Sequence, residues 1–220
     1  NLVYNIHEEN GNNIFLENKI ININKIDNSY EIKLDSGDKV FCDLIIAGIG
    51  SLANIDLFLD NSIKIDNGII VDEFCRTSIP NVFAAGDVAN FYHPLYGKNI
   101  RLESYQHAQN HGINAGKNIL GIKTSYNSVP WMWSDQFGYN LQMIGICDDF
   151  EKILQRGTDI NEGIIYFFIK DNKIMGACGL GVIGKIGRDI KLAGKISEKK
   201  IEIIEEILSD KNIKLNKLLS

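Results

Sequence analysis

Three groups of residues in this chain have the types and spacing to do chemistry. The first is a pair of apolar runs that close on glycine: residues 40–50 (VFCDLIIAGIG) end at Gly48 and Gly50, and residues 82–85 (VFAA) lead into Gly86 and Asp87. A buried strand ending in glycine delivers bare backbone into a turn, which suits close approach to a ligand. Asp87 adds a carboxylate there, with the alternative that it caps a short following helix. The second group is Glu103, Ser104 and Tyr105, which open the pattern ESYQHAQNHGINAGKNIL, a helix over residues 103–120 with Gly121 as its C-cap. Its N-terminus offers unpaired N–H groups and partial positive charge. The third is Trp131 and Trp133, which share one face if their segment is extended.

Other chemistries have less support. His107 and His111 stand four apart on the same helix, but the Glu of H-E-x-x-H is missing and no third metal ligand is apparent. The four cysteines, Cys42, Cys75, Cys147 and Cys178, form no C-x-x-C pair. They read as reduced thiols, with no sequence-adjacent pair for a disulfide relay. A formal net charge of −5 leaves no general basic footprint for nucleic acid. The 45% hydrophobic content is that of a packed globular chain, yet no stretch is long and apolar enough to span a bilayer. A soluble, cytoplasmic protein is expected.

The elements that position these residues can be read in outline. Residues 12–33 hold two apolar-rich runs split by Asp27-Asn28 and followed by the turn Asp35-Ser36-Gly37-Asp38, a β-meander. A short strand over 68–71 and a Pro80-Asn81 turn precede the buried strand expected over 82–85. Gly112 and Gly116, one helical turn apart, would permit close packing on a neighbour. Beyond Val129-Pro130 come hydrophobic strands, with Asp171-Asn172 able to supply the positive φ angles of a tight hairpin. Residues 182–196 and 201–208 read as helices, the second with Ser197 as a cap. On the first, Lys185, Arg188, Lys191 and Lys195 fall on one side and Ile183, Ile186, Ile190 and Ala193 roughly opposite. That basic stripe is either a docking face for an acidic partner or an ordinary solvated surface.

Three segments taken together, LIIAGIGSLANIDL, RTSIPNVFAAGDVA, and RLESYQHAQNHG followed by VPWMWSDQFGYNLQMIG, resemble one family. It is that of the oxygenase-coupled NAD(P)H–ferredoxin and rubredoxin reductases, with apoptosis-inducing factor a more distant relative. The resemblance runs from about His7 to near the C-terminus, in the family's order. One departure is Ala53-Asn54 where the family usually has Pro-Asn, which loosens that loop.

The resemblance implies a fold and a set of roles. The family's two dinucleotide-binding folds each open with a glycine-rich fingerprint, and neither fingerprint is in this sequence. The chain, which starts without Met, is therefore expected to be a C-terminal part, inactive alone, of mixed α/β and α+β class. Residues 1–51 would end the NAD-binding domain, 52–125 would be the returning half of the FAD-binding domain, and 126–220 a C-terminal α+β interface domain. Gly86 and Asp87 would meet the ribityl chain of FAD. Glu103 would lie near the nicotinamide carboxamide, or simply complement the helix dipole. Backbone N–H groups around Ser104 and Tyr105 would face flavin N1 and O2, and Trp133 would screen the ring, unless it is a core residue. Gly48 and Gly50 would approach NAD.

The implied activity is transfer of a hydride from NADH or NADPH to FAD and single-electron delivery to a ferredoxin or rubredoxin. An NADH oxidase of the same fold and a non-catalytic remnant are the alternatives, since fold does not select the acceptor.

Overall fold

The computed structural model describes residues 2–58 and 62–219 and divides into two compact units, residues 1–52 and 53–220. In the first, helix α1 (Leu2–Glu9) precedes strands β1 (Ile20–Ile26), β2 (Ser29–Leu34) and β3 (Lys39–Cys42), an antiparallel sheet in that order. The expected meander is present. Its turns are local chemistry, with Asp27 at φ 51° and Gly37 at φ 94°. The buried strand expected over residues 40–50 is not present. β3 stops at Cys42, and beyond it Leu44, Ile46, Ile49 and Leu52 are 73%, 87%, 94% and 95% exposed. A strand apolar on both faces is stable only when covered on both, and the single meander and short helix of this unit provide no such cover.

The second unit opens with a mixed sheet of β4 (Ile69–Val71), β5 (Ala89–His93) and β6 (Lys98–Arg101), β4 parallel to β5 and β5 antiparallel to β6. Parallel neighbours need a crossover, here residues 72–88. It starts at Asp72, whose Oδ1 accepts the N–H groups of Phe74 and Arg76 at 2.9 Å each and whose Oδ2 pairs with Arg76 at 2.7 Å. That turn puts the buried Cys75 at φ 65°. Residues 82–85, expected as a strand, form one bridge, Phe83 to Arg76, and the strand proper begins only at Ala89. The apolar run has a tight turn as its partner, not an extended neighbour, so no ladder can propagate.

Helix α2 (Tyr105–Ile119) follows, starting two residues later than expected and ending as expected at Gly121, φ 80°, whose N–H bonds the Asn118 carbonyl at 3.0 Å. Its buried stripe is His107, His111, Asn114 and Ala115. Gly112 and Gly116 face away from it with nothing within 4 Å of a built Cβ, so the close packing expected of them does not occur.

The remainder is a five-stranded antiparallel sheet, β7 (Trp131–Gln136), β8 (Tyr139–Gly145), β9 (Lys152–Arg156), β10 (Ile164–Lys170) and β11 (Lys173–Val182), in the order β7-β8-β11-β10-β9. Asp171 and Asn172, at φ 47° and 56°, close the β10–β11 hairpin as expected. Helix α3 (Gly187–Glu198) lays Ile190, Ala193 and Ile196, all 0% exposed, on this sheet. Each buried isoleucine contributes roughly 1.5–3 kcal/mol.

Two helix expectations need correction here. Residues 182–186 finish β11 and its turn, so Ile183 is exposed and outside the apolar stripe. Within 201–208 only the short α4 (Glu205–Ser209) forms, because Glu202 bridges Lys173 and the Ile203 N–H bonds the Asn172 carbonyl at 2.9 Å. Ser197 is no cap: it is buried in the last turn of α3.

Arg156 ties these pieces together. Its guanidinium pairs with Asp189 at 2.9 Å and donates to the carbonyls of Ile207 (3.1 Å), Leu208 (3.3 Å), Asp210 (2.7 Å), Lys211 (3.4 Å) and Ile213 (2.8 Å). Only a planar, five-donor cation can satisfy so many acceptors at once.

Candidate functional site

Of the residues singled out in the sequence, Gly48 and Gly50 lie in the first unit, with Gly50 at φ 89° and open space around both. The other six lie in the second unit and are linked by contacts. Gly86, buried at φ 75°, opens a 3-10 turn, Gly86–Val88, in which Asp87 is exposed. Ala85 holds the cap position, so Asp87 is not a cap. Behind the turn sits Gly68 at φ 119°, where a Cβ would stand 2.6 Å from the Val88 carbonyl oxygen; a side chain there would displace the turn.

Arg101, at the end of β6, was not singled out and proves central. Its Nη1 donates to the Asp87 carbonyl at 3.1 Å and pairs with Glu103 Oε1 at 2.5 Å, while Nε donates to Asn67 Oδ1 at 3.2 Å. The sequence carried a signal for it: in RLE the two charges share one face of an extended chain. Glu103 thus lies outside α2 and is paired, rather than serving as a first-turn carboxylate. Ser104 is the N-cap, its hydroxyl accepting the His107 N–H at 3.4 Å.

Tyr105, at the first turn of α2, meets Trp133 edge-on with ring centroids 6.5 Å apart, and Trp133 stacks on Trp131 at 4.8 Å. The two tryptophans share a face as expected, but Trp133 is at the surface, 42% exposed, and not in a core. Between the start of α2 and strands β7 and β8 is a cavity of about 140 Å³, lined by Leu102, Glu103, Ser104, Pro130, Trp131, Met132, Met143 and Gly145.

Beneath the Gly86 turn is a cluster of rings. Phe91 stacks on His107 at 5.1 Å, tilts against His111 at 4.8 Å and meets Tyr126 edge-on at 5.3 Å. Burial lowers His107 to about 4 and His111 to about 3, so both imidazoles are neutral at ordinary pH. Burial also pushes the Tyr126 hydroxyl up to about 12. Among the described residues no three metal-ligating side chains come together, and the histidine pair serves as core rings. All four cysteines are free thiols. Burial raises Cys75, Cys147 and Cys178, Cys147 to about 12, which keeps them protonated and unreactive.

Comparison with known proteins gives this geometry a context. The family profile described as pyridine nucleotide-disulphide oxidoreductase matches residues 1–112, and the one described as reductase C-terminal matches residues 131–219. The ferredoxin–NAD(+) reductase component of the anthranilate 1,2-dioxygenase system of Burkholderia cepacia is 37% identical over 75% of this chain and 40% of its own length. Rhodocoxin reductase of Rhodococcus erythropolis is 33% identical over 95% of this chain and 48% of its own length. A solved ferredoxin reductase from Rhodopseudomonas palustris superposes with a TM-score of 0.89 at 25% identity, covering 99% of this chain and 53% of that one. The chain thus spans about half the length of the relatives it matches.

Proposed function

The chain belongs to the pyridine nucleotide-disulphide oxidoreductase family, and from that premise we propose that it forms the flavin-facing and carrier-docking part of an FAD-dependent NAD(P)H reductase serving a ferredoxin or rubredoxin. In this reading residues 1–51 end the NAD-binding domain, 52–125 complete the FAD-binding domain and 126–220 form the interface domain. A cytoplasmic setting is in keeping with four free thiols. No helix among the described residues is long and apolar enough to cross a membrane.

The observation that carries the proposal is the meeting of the Gly86–Asp87 turn, the N-terminus of α2 and the Trp131–Trp133 stack, with Arg101 tying Asp87 to Glu103. These residues fit a flavin. Asp87 offers an exposed carboxylate to ribityl hydroxyls, and Gly86 keeps the backbone bare beside it. The first-turn N–H groups of α2 have no intrahelical acceptor and carry partial positive charge, worth roughly 0.3–2 kcal/mol to an electron-rich ring edge. Trp133 excludes water from one side, while Arg101 holds the Glu103 carboxylate at the cavity rim, toward a nicotinamide carboxamide. Gly48 and Gly50 would meet the NAD side. The flavin, when bound, supplies the exchange between two-electron and one-electron transfer; the chain supplies orientation and field. On α3, the exposed Arg188, Lys191 and Lys195 form the face offered to an acidic iron–sulfur carrier.

The test is Asp87→Ala in the flavin-loaded enzyme. FAD retention should weaken by roughly 1.5–3 kcal/mol, the scale of hydrogen bonds to a charged group, with thermal stability little changed. Unchanged retention, read by flavin fluorescence after dilution, would remove Asp87 from the site.

A further inference from the structure

One feature of α2 is left over by the flavin reading: a helix facing a redox ring buries two imidazoles directly below the turn that carries Asp87. The Gly86 N–H donates to His111 Nδ1 at 3.3 Å, and His107 Nδ1 lies 3.0 Å from the Tyr126 hydroxyl. Both rings are buried, at 3% and 0% exposure, and neither Nε2 atom has a hydrogen-bond partner among the described residues. Because His111 Nδ1 accepts, its ring proton must sit on Nε2. A buried N–H without a partner is a standing cost. The protein tolerates it at the position where a ring nitrogen accepts the one backbone N–H that Gly86 offers.

The placement has a mechanical consequence. His111 lies seven residues after the Ser104 cap, two turns along the same helix. The Gly86 turn is also held by the Arg101 contact to the Asp87 carbonyl and backed by the bare face of Gly68, and on its α2 side it lies against Ala108 and His107; the His111 ring is the group there that accepts the Gly86 N–H. We propose that His111 is a positioning residue for the flavin: by accepting the Gly86 N–H it locks the Asp87 turn to α2, so that ribityl and ring contacts move as one body. This rests on the flavin reading above. The neutral state that burial imposes keeps the acceptor available across the ordinary pH range.

The test compares three variants of the flavin-loaded enzyme and of its apo form. His111→Asn keeps an acceptor near the place of Nδ1, His111→Gln moves it to the place of Nε2, and His111→Leu fills the volume with none. In the apo form, hydrogen exchange of the Gly86 amide should speed up in the Leu and Gln variants and stay near the parent in Asn. In the loaded form, FAD affinity should fall roughly tenfold in Leu and Gln, the factor expected of one lost hydrogen bond, and recover in Asn. Should His111→Leu fail to fold, the Gln and Asn pair decides the matter. Unaltered Gly86 exchange in Gln, equal FAD loss in Asn and Gln, or a nitrogen spectrum showing the proton on Nδ1 overturns the proposal. If Asp87→Ala weakens FAD while His111→Gln does not, only the positioning role fails; if Asp87→Ala has no effect, the flavin reading itself fails.

Discussion

Helices α2 and α3 each cover a sheet with one stripe at helical spacing, yet the stripes are made of different chemistry. Under α3, Ile190, Ala193 and Ile196 share one apolar cluster with Phe167 and Ala177, an aliphatic and aromatic seam with the buried Ser197 at its end. Under α2 they are His107 and His111 on Phe91 and Tyr126, and Asn114 on Cys75. An aliphatic seam excludes water and does little else. The imidazole seam excludes water and also holds particular partners, the Gly86 N–H and the Tyr126 hydroxyl, at the price of unpartnered ring nitrogens and sensitivity to acid. The regions also treat charge oppositely: Arg156 below α4 is charged and saturated with acceptors, whereas the titratable groups below α2 are held neutral.

The largest effect should come from breaking the charged hub. Arg156→Ala strips Asp189 and five backbone carbonyls of their donor and should cost about 3–5 kcal/mol, the scale for removing one partner of a buried ion pair. Arg156→Lys should recover only part of it, since one ammonium cannot reach all these acceptors. Denaturant unfolding measures both, and a loss below about 1 kcal/mol would make the hub incidental.

Acid should attack the α2 region first. His107 and His111 have folded values of about 4 and about 3, below the ordinary 6.5, so the unfolded chain takes up these protons earlier. Their stabilisation is complete above about pH 6.5 and is lost as the pH falls toward 4 and then 3, by up to about 1.4 kcal/mol per pH unit for each ring. Of the groups facing them, Tyr126 stays protonated, His93 is itself lowered by burial, and Asp87 favours the His107 cation and softens the loss. Unfolding at a series of pH values should show the slope, and His107→Gln with His111→Asn should flatten it. A slope indifferent to both would assign acid sensitivity elsewhere.

The smallest effect concerns the outer face of α3. Arg188→Glu with Lys191→Glu should slow ferredoxin reduction on the order of tenfold at low salt, leave flavin reduction by NADH intact, and converge with the parent as the Debye length shrinks to about 8 Å. Lys185 is the poorer choice, because it already pairs with Glu162 at 3.2 Å. Equal rates at low salt would reduce this face to solvated surface.

How much of this was legible beforehand follows the range of the interactions. The Asp171-Asn172 hairpin, the Gly121 helix end and the first meander depend on the φ preferences of one or two residues, and each stands as read. The strand expected over 82–85 is reduced to one bridge and the helix over 201–208 to the short α4, because short apolar runs have no period to distinguish them, and the neighbours that decide their form lie elsewhere in the chain. Arg101 could have been found from its spacing to Glu103; Arg156 could not, since its acceptors are 33 to 57 residues away.

By itself, then, the sequence determined the hairpin turns, the Gly121 helix end, the positive-φ glycine at residue 86 and the apolar positions Ile190 and Ala193 of α3, because those are set by local dihedral and periodic constraints. Only the tertiary structure decided that the Glu103 carboxylate is paired, that residues 43–52 stay uncovered, and that a histidine 25 residues downstream holds the Gly86 amide. The reason is physical: a buried donor demands some acceptor, but which one reaches it depends on how the crossover and α2 pack, and no local propensity encodes that choice.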